Sequence, residues 1–167
     1  MFQLLQVVTV LLVAVAMALS LAHALELPGK LRLSREEYLA VQPIYYPGFT
    51  FAGACEPLGV IALLVLTFTT SEPTAFWLTA GASIALAAAH AVYWVVTHPV
   101  NNFWLKDFEL KGASGAFFRS HPMRRKSDQI AAEADWVALR DRWERSHVIR
   151  AGLSLAGFIM LVTAVAQ

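Results

Sequence analysis

The sequence predicts an all-helical integral membrane protein: a four-helix bundle with a long polar loop and a final helix that extends out of the membrane. Three observations carry this. Of the 167 residues, 57% are hydrophobic and 15% charged, against roughly a quarter charged in soluble domains, and mean hydropathy is +0.55. Four apolar runs, 4–25, 49–69, 74–97 and 147–166, each approach the roughly 20 residues that cross a hydrocarbon core. The basic residues are segregated, with three of the thirteen Lys and Arg in 26–48, nine in 98–146, and the last, Arg150, just inside the fourth run. These spans and loops use the whole of 1–167 as one membrane domain.

The first run carries no charge and ends near Ala22-His23-Ala24, which resembles a signal-peptidase site. It reads as a span because no Lys or Arg precedes it and its length exceeds a signal core. The segment 26–48 follows, with Pro28-Gly29 and Pro47-Gly48 as turn signals and Ser34-Arg35-Glu36-Glu37 as a capped helical turn. The second run is interrupted by Glu56-Pro57, and a short turn at Ser71-Glu72-Pro73 makes the second and third runs antiparallel neighbours. In the loop 98–146, Ser127 reads as an N-cap and Asp128 to Arg145 as helix running into the fourth span. By the positive-inside rule both long loops are cytoplasmic and both termini lie outside, in a bacterial cytoplasmic membrane. A net charge of +1 gives no case for nucleic acid, and the lone Cys55 excludes an intramolecular disulfide and multi-cysteine metal sites.

The residues able to do chemistry sit toward the loop side. Trp136, Leu139, Trp143, His147 and Arg150 are spaced 3, 4, 4 and 3 apart and share roughly an 80° arc of one helix. The stripe reads either as an interfacial aromatic belt with polar residues reaching for headgroups or as a base and a cationic clamp aimed into the bundle. His90, Tyr93, Trp94 and Thr97 repeat the pattern on the third span. Glu56 lies at similar depth, where a carboxylate must be protonated, paired or facing water, so a pairing with His90 or Arg150 is expected. His23 and Glu26, at i and i+3, have the spacing of two metal ligands on one bundle helix. Two of His23, His90 and His147 offer axial ligands to a haem. His121 reads as a solvated loop residue. A structural role for each histidine, bonded to a neighbouring helix, stands beside these readings.

The string Val96 to Trp104, with Pro99, Asn101 and Asn102, followed by Trp136, Trp143, His147 and Arg150, resembles the signature of the anthrone-oxygenase-like family of small four-span membrane proteins. Ala22 to Lys30 and Tyr45 to Phe49 resemble a bacterial branch of it. The resemblance implies a membrane oxidoreductase that oxidises a lipophilic aromatic or quinol-like substrate with dioxygen, with no cofactor required. On that analogy His147 or His90 is the base, and Arg150 with Asn101 or Asn102 holds an enolate oxygen. Glu56 joins the same site, while Tyr93, Trp94 and Trp143 stack on the substrate. A haem or metal binding protein is one alternative. A non-catalytic accessory subunit or small carrier is another, and a homo-oligomer or membrane complex stays open.

Overall fold

A computed structural model describes residues 1–104 and 135–167, except for the side chain of Asn102; Ser127, His121 and the rest of 105–134 lie outside the described residues. Among the described residues the chain is all helix: α1 (Phe2–Lys30), α2 (Arg35–Val41), a 3-10 turn (Gln42–Tyr45), α3 (Gly48–Ala52), α4 (Cys55–Thr69), α5 (Pro73–Val92), a π turn (Tyr93–Thr97), α6 (His98–Trp104) and α7 (Trp136–Val165). Four stretches, Phe2–Lys30, Gly48–Thr69, Pro73–Asn101 and Trp136–Val165, are long and apolar enough to cross a membrane. The long helices pack in a ring in the order α1, α4, α5, α7. At about 1.5 Å per residue the 30 residues of α7 exceed the roughly 30 Å of hydrocarbon, which lets its first turns stand clear of the apolar zone.

The interior of the ring is built from Val13, Ala16, Leu63, Leu66, Leu86 and Leu161 among others. Gly157 lets α7 approach α5 closely: a Cβ there would stand 3.3 Å from the Ala82 carbonyl and 3.4 Å from the Ala85 Cβ. The outer faces present Leu4, Leu11, Ile61, Phe68, Ile84 and Ile159, as lipid requires. Inside the ring the hydroxyls of Thr9, Thr67 and Ser83 are satisfied by their own helices, on the Leu5, Leu63 and Thr79 carbonyls, so the burial of these three leaves no donor stranded.

Several boundaries differ from the sequence expectation, each for a local reason. α1 does not stop at Pro28-Gly29 but runs to Lys30, whose ammonium reaches back one turn to Glu26 at 2.8 Å and fixes the last turn. The second span breaks at Gly53-Ala54 rather than at Glu56-Pro57, with the Gly53 N–H closing on the Phe49 carbonyl at 2.8 Å. Pro57 then falls in the first turn of α4, where its missing N–H costs nothing. The third span does not end at Thr97. A π turn, in which the His98 N–H reaches the Tyr93 carbonyl, carries it through Pro99 into α6. Pro99 cannot donate to the Val95 carbonyl, and Arg142 of α7 donates to that oxygen instead, at 3.5 Å.

The segment between α1 and α4 lies over one end of the ring. Ser34 caps α2 with a reciprocal bond to Glu37, which holds the Glu37 carboxyl below its usual range. The Tyr38 hydroxyl donates to Glu144 of α7 at 2.9 Å and the Tyr45 hydroxyl to Glu26 of α1 at 2.6 Å. Burial first, and then these carboxylates, push both phenols up, so they stay protonated donors across the physiological range. At the opposite end Glu72 caps α5 through the Ala75 and Thr74 N–H groups, which lower its carboxyl.

Candidate functional site

A cavity of about 430 Å³ lies under that segment, between α1, α3, α4, α5, the π turn and α7. Its apolar walls include Ala16, Leu19, Tyr46, Phe49, Phe51 and Pro57. Phe51 and Ala54 are exposed lining residues, which puts the mouth where α3 meets α4. The volume falls within the roughly 300–1,000 Å³ of small-molecule sites.

Its polar end is a chain of hydrogen bonds across three helices. Glu56, on the first turn of α4 and 4% exposed, receives Arg150 Nη2 of α7 at 2.5 Å on one oxygen and meets His90 Nδ1 of α5 at 3.0 Å on the other. Trp94 Nε1 donates to His90 Nε2 at 2.9 Å. Since an indole N–H only donates, His90 Nε2 is an acceptor and its hydrogen sits on Nδ1, facing the carboxylate. His90 is therefore committed at both nitrogens: it positions Glu56, and its lone pair is covered. A carboxylate oxygen has two lone pairs, so each Glu56 oxygen keeps accepting capacity.

Arg150 also lies over the Tyr93 ring, 5.0 Å from its centroid, and donates toward His147 Nδ1 at 3.5 Å. His147 is 3% exposed and its Nε2 has no partner among the described residues. Asn101 accepts from Trp143 Nε1 at 2.6 Å and stands within bonding reach of the Tyr93 hydroxyl. One lone pair of its amide oxygen is thus taken by the wall. Glu56, His90, Tyr93, Trp94, Asn101, Trp143, His147 and Arg150 all line the one cavity, and so does His23. The Asn102 side chain lies outside the described residues.

Glu26 is absent from the lining; it binds Lys30 and Tyr45 behind the wall, 3.8 Å from His23. Lys30 is 5% exposed and near Glu26, Glu144 and His23. Sequence reasoning misses it, because the Pro28-Gly29 pair hides that His23, Glu26 and Lys30 share one helical face. Tyr45, Tyr46 and Phe49 are likewise legible only as a resemblance, since no periodicity runs through the segment that carries them.

The anthrone oxygenase family model matches residues 42–160, from the cover of the cavity into the last turns of α7. The chain belongs to the anthrone oxygenase family. No curated protein and no solved structure matches it. The family match contains Glu56, His90, Asn101, Trp143, His147 and Arg150, whereas His23, Glu26 and Lys30 precede it.

The histidines do not form a haem seat as they stand. His23 and His147 pack ring on ring with centroids 4.0 Å apart, leaving no slot for a macrocycle between two axial nitrogens, and both His90 nitrogens are bonded. Among the described residues no three His, Cys, Asp or Glu side chains are grouped to hold a metal ion.

Proposed function

We propose that this family member is a membrane-embedded oxygenase that takes a lipophilic, anthrone-like aromatic substrate from the bilayer and oxidises its benzylic CH2 with dioxygen. The observation that supports it most is an aromatic-walled cavity whose buried end holds a carboxylate and a guanidinium already bonded to each other. An activated CH2 beside a carbonyl system loses a proton to a base and becomes an enolate, which gives one electron to dioxygen. The radical and superoxide combine at carbon, the peroxide takes back a proton, and loss of water leaves a ketone. The balance is CH2 plus O2 to C=O plus H2O, with no other reductant.

Glu56 is the base that suits this site. When it takes the proton, Arg150 exchanges one anionic partner for another, carboxylate for enolate, and the buried charge is unchanged. A proton taken by His147 would instead place a second cation against Arg150, 3.5 Å away. His90 holds the carboxylate in place, and Arg150 stabilises the developing oxyanion in a dry site, the arrangement that lowers such barriers most. Tyr93, Trp94 and Trp143 supply ring faces for a planar substrate. Purified protein in nanodiscs, given an anthrone and dissolved oxygen, is expected to consume one O2 for each anthraquinone formed. An anthrone that disappears no faster than in empty nanodiscs would overturn the reading.

The basic loops support a cytoplasmic position for the cavity end of the bundle, with both termini outside. In a Cys55→Ser background, a cysteine placed at the exposed Glu36 is expected to resist an impermeant maleimide on intact bacterial cells and to react in inverted vesicles. Rapid labelling of intact cells would reverse the orientation.

A further inference from the structure

The cavity has a second set of polar groups that the oxidation chemistry above does not use. His23 of α1 and His147 of α7 line it side by side. Each has Nδ1 against a cation, Lys30 Nζ at 3.5 Å from His23 and Arg150 Nη1 at 3.5 Å from His147. Ammonium and guanidinium groups only donate. Both Nδ1 atoms are therefore acceptors, both rings are neutral, and both carry their hydrogen on Nε2. His147 Nε2 is a buried donor with no partner among the described residues, which in a native site calls for a ligand or water. Lys30 is itself fixed: Glu26 holds it at 2.8 Å, Glu144 stands at 3.6 Å, and the Tyr45 and Trp143 rings lie 4.9 and 4.8 Å from its nitrogen.

We propose that the His23–His147 pair is the recognition site for an oxygen acceptor on the substrate, a carbonyl or phenolic oxygen, and that Lys30 is a positioning residue that fixes the His23 tautomer. Acceptor oxygens fit because both rings offer N–H and neither offers a lone pair. The pair selects oxygen-bearing aromatics over plain hydrocarbons of the same shape. Lys30 acts only through His23, standing behind the wall with its charge spent on Glu26 and Glu144. The inference rests on the cavity being the substrate seat, and it needs no turnover to be tested.

The test compares the affinities of anthraquinone and anthracene, of matched shape with and without oxygens, for the full chain in nanodiscs. The wild type is expected to prefer anthraquinone by about tenfold, the effect of meeting an otherwise unpaired buried donor. His23→Phe keeps the ring that packs on Tyr45, Phe49 and Trp143 and is expected to cut the preference by roughly threefold or more with anthracene affinity unchanged. Lys30→Met should do the same and Lys30→Arg should not. Nitrogen-15 shifts of the imidazoles should show His23 and His147 as single Nε2–H tautomers in the wild type, and a mixture at His23 in Lys30→Met. Equal affinities in the wild type, or an undiminished preference in His23→Phe, would overturn the proposal; if Lys30→Met does not fold, those two results still decide. A chain that keeps the preference but oxidises no anthrone retains this site and loses the oxygenase reading, while turnover without preference does the reverse.

Discussion

Arg150→Ala is expected to remove measurable anthrone oxidation and to lower stability at the same time. The guanidinium binds the Glu56 carboxylate, donates toward His147 Nδ1 and covers the Tyr93 ring, so a single truncation strips three groups of their partner. Removing one member of a buried ion pair costs about 3–5 kcal/mol, because the other charge is left uncompensated. Losing the donor that meets a developing oxyanion costs a further factor of roughly 10²–10³ in rate. Arg150→Lys separates the two effects. It restores a charge near Glu56 and with it part of the melting temperature in detergent, but it lacks the planar fork whose Nη2 meets Glu56 while Nη1 reaches toward His147, so the rate stays low. A folded Arg150→Ala protein with wild-type turnover would show that the ion pair is architectural and that the chemistry lies elsewhere.

The spans and the faces that build the cavity are readable because membrane helices obey two strong rules, apolar length and the sequestration of charge. The 3.6-residue period puts Trp143, His147 and Arg150 on one stripe and His90 with Trp94 on another, and the cost of an unpaired carboxylate in lipid points Glu56 toward the same basic groups. What escapes the sequence sits where local signals mislead. Pro28-Gly29 reads as a stop, yet the ion pair between Glu26 and Lys30 holds the helix past it, so nothing in the sequence marks the second cation of the site. Pro99 reads as the end of the third span; a π turn absorbs it and leaves Asn101 on a helix, bonded to Trp143. No periodicity announces a π turn. His90 illustrates a different limit: position marks it as a base, but only the direction of the Trp94 N–H shows that its lone pair is covered.

Glu56→Gln is the sharper of the two substitutions at the ion pair, since it keeps the side chain's shape while removing the negative charge and with it the ability to take a proton. Turnover is expected to fall by about 10²–10⁴, the usual worth of a positioned base, while anthraquinone affinity stays within about twofold because the acceptor site and the ring walls are untouched. The hydrogen-bond chain predicts a second, independent signature. With its amide oxygen kept on Arg150, the substituted side chain turns its NH2 toward His90 Nδ1, where the wild type has a donor. His90 must then move its hydrogen to Nε2, which sets it against the Trp94 N–H 2.9 Å away. One of the two bonds has to break, at a cost of about 1–3 kcal/mol for a stranded buried donor, in addition to the loss of the charge that compensates Arg150. Replacing Trp94 by Phe removes the opposing donor, so the double variant should recover stability relative to Glu56→Gln alone while remaining inactive. Melting temperatures in detergent measure the first effect and anthrone oxidation the second. Recovery of turnover together with stability would mean that Glu56 only positions its neighbours and that another group takes the proton.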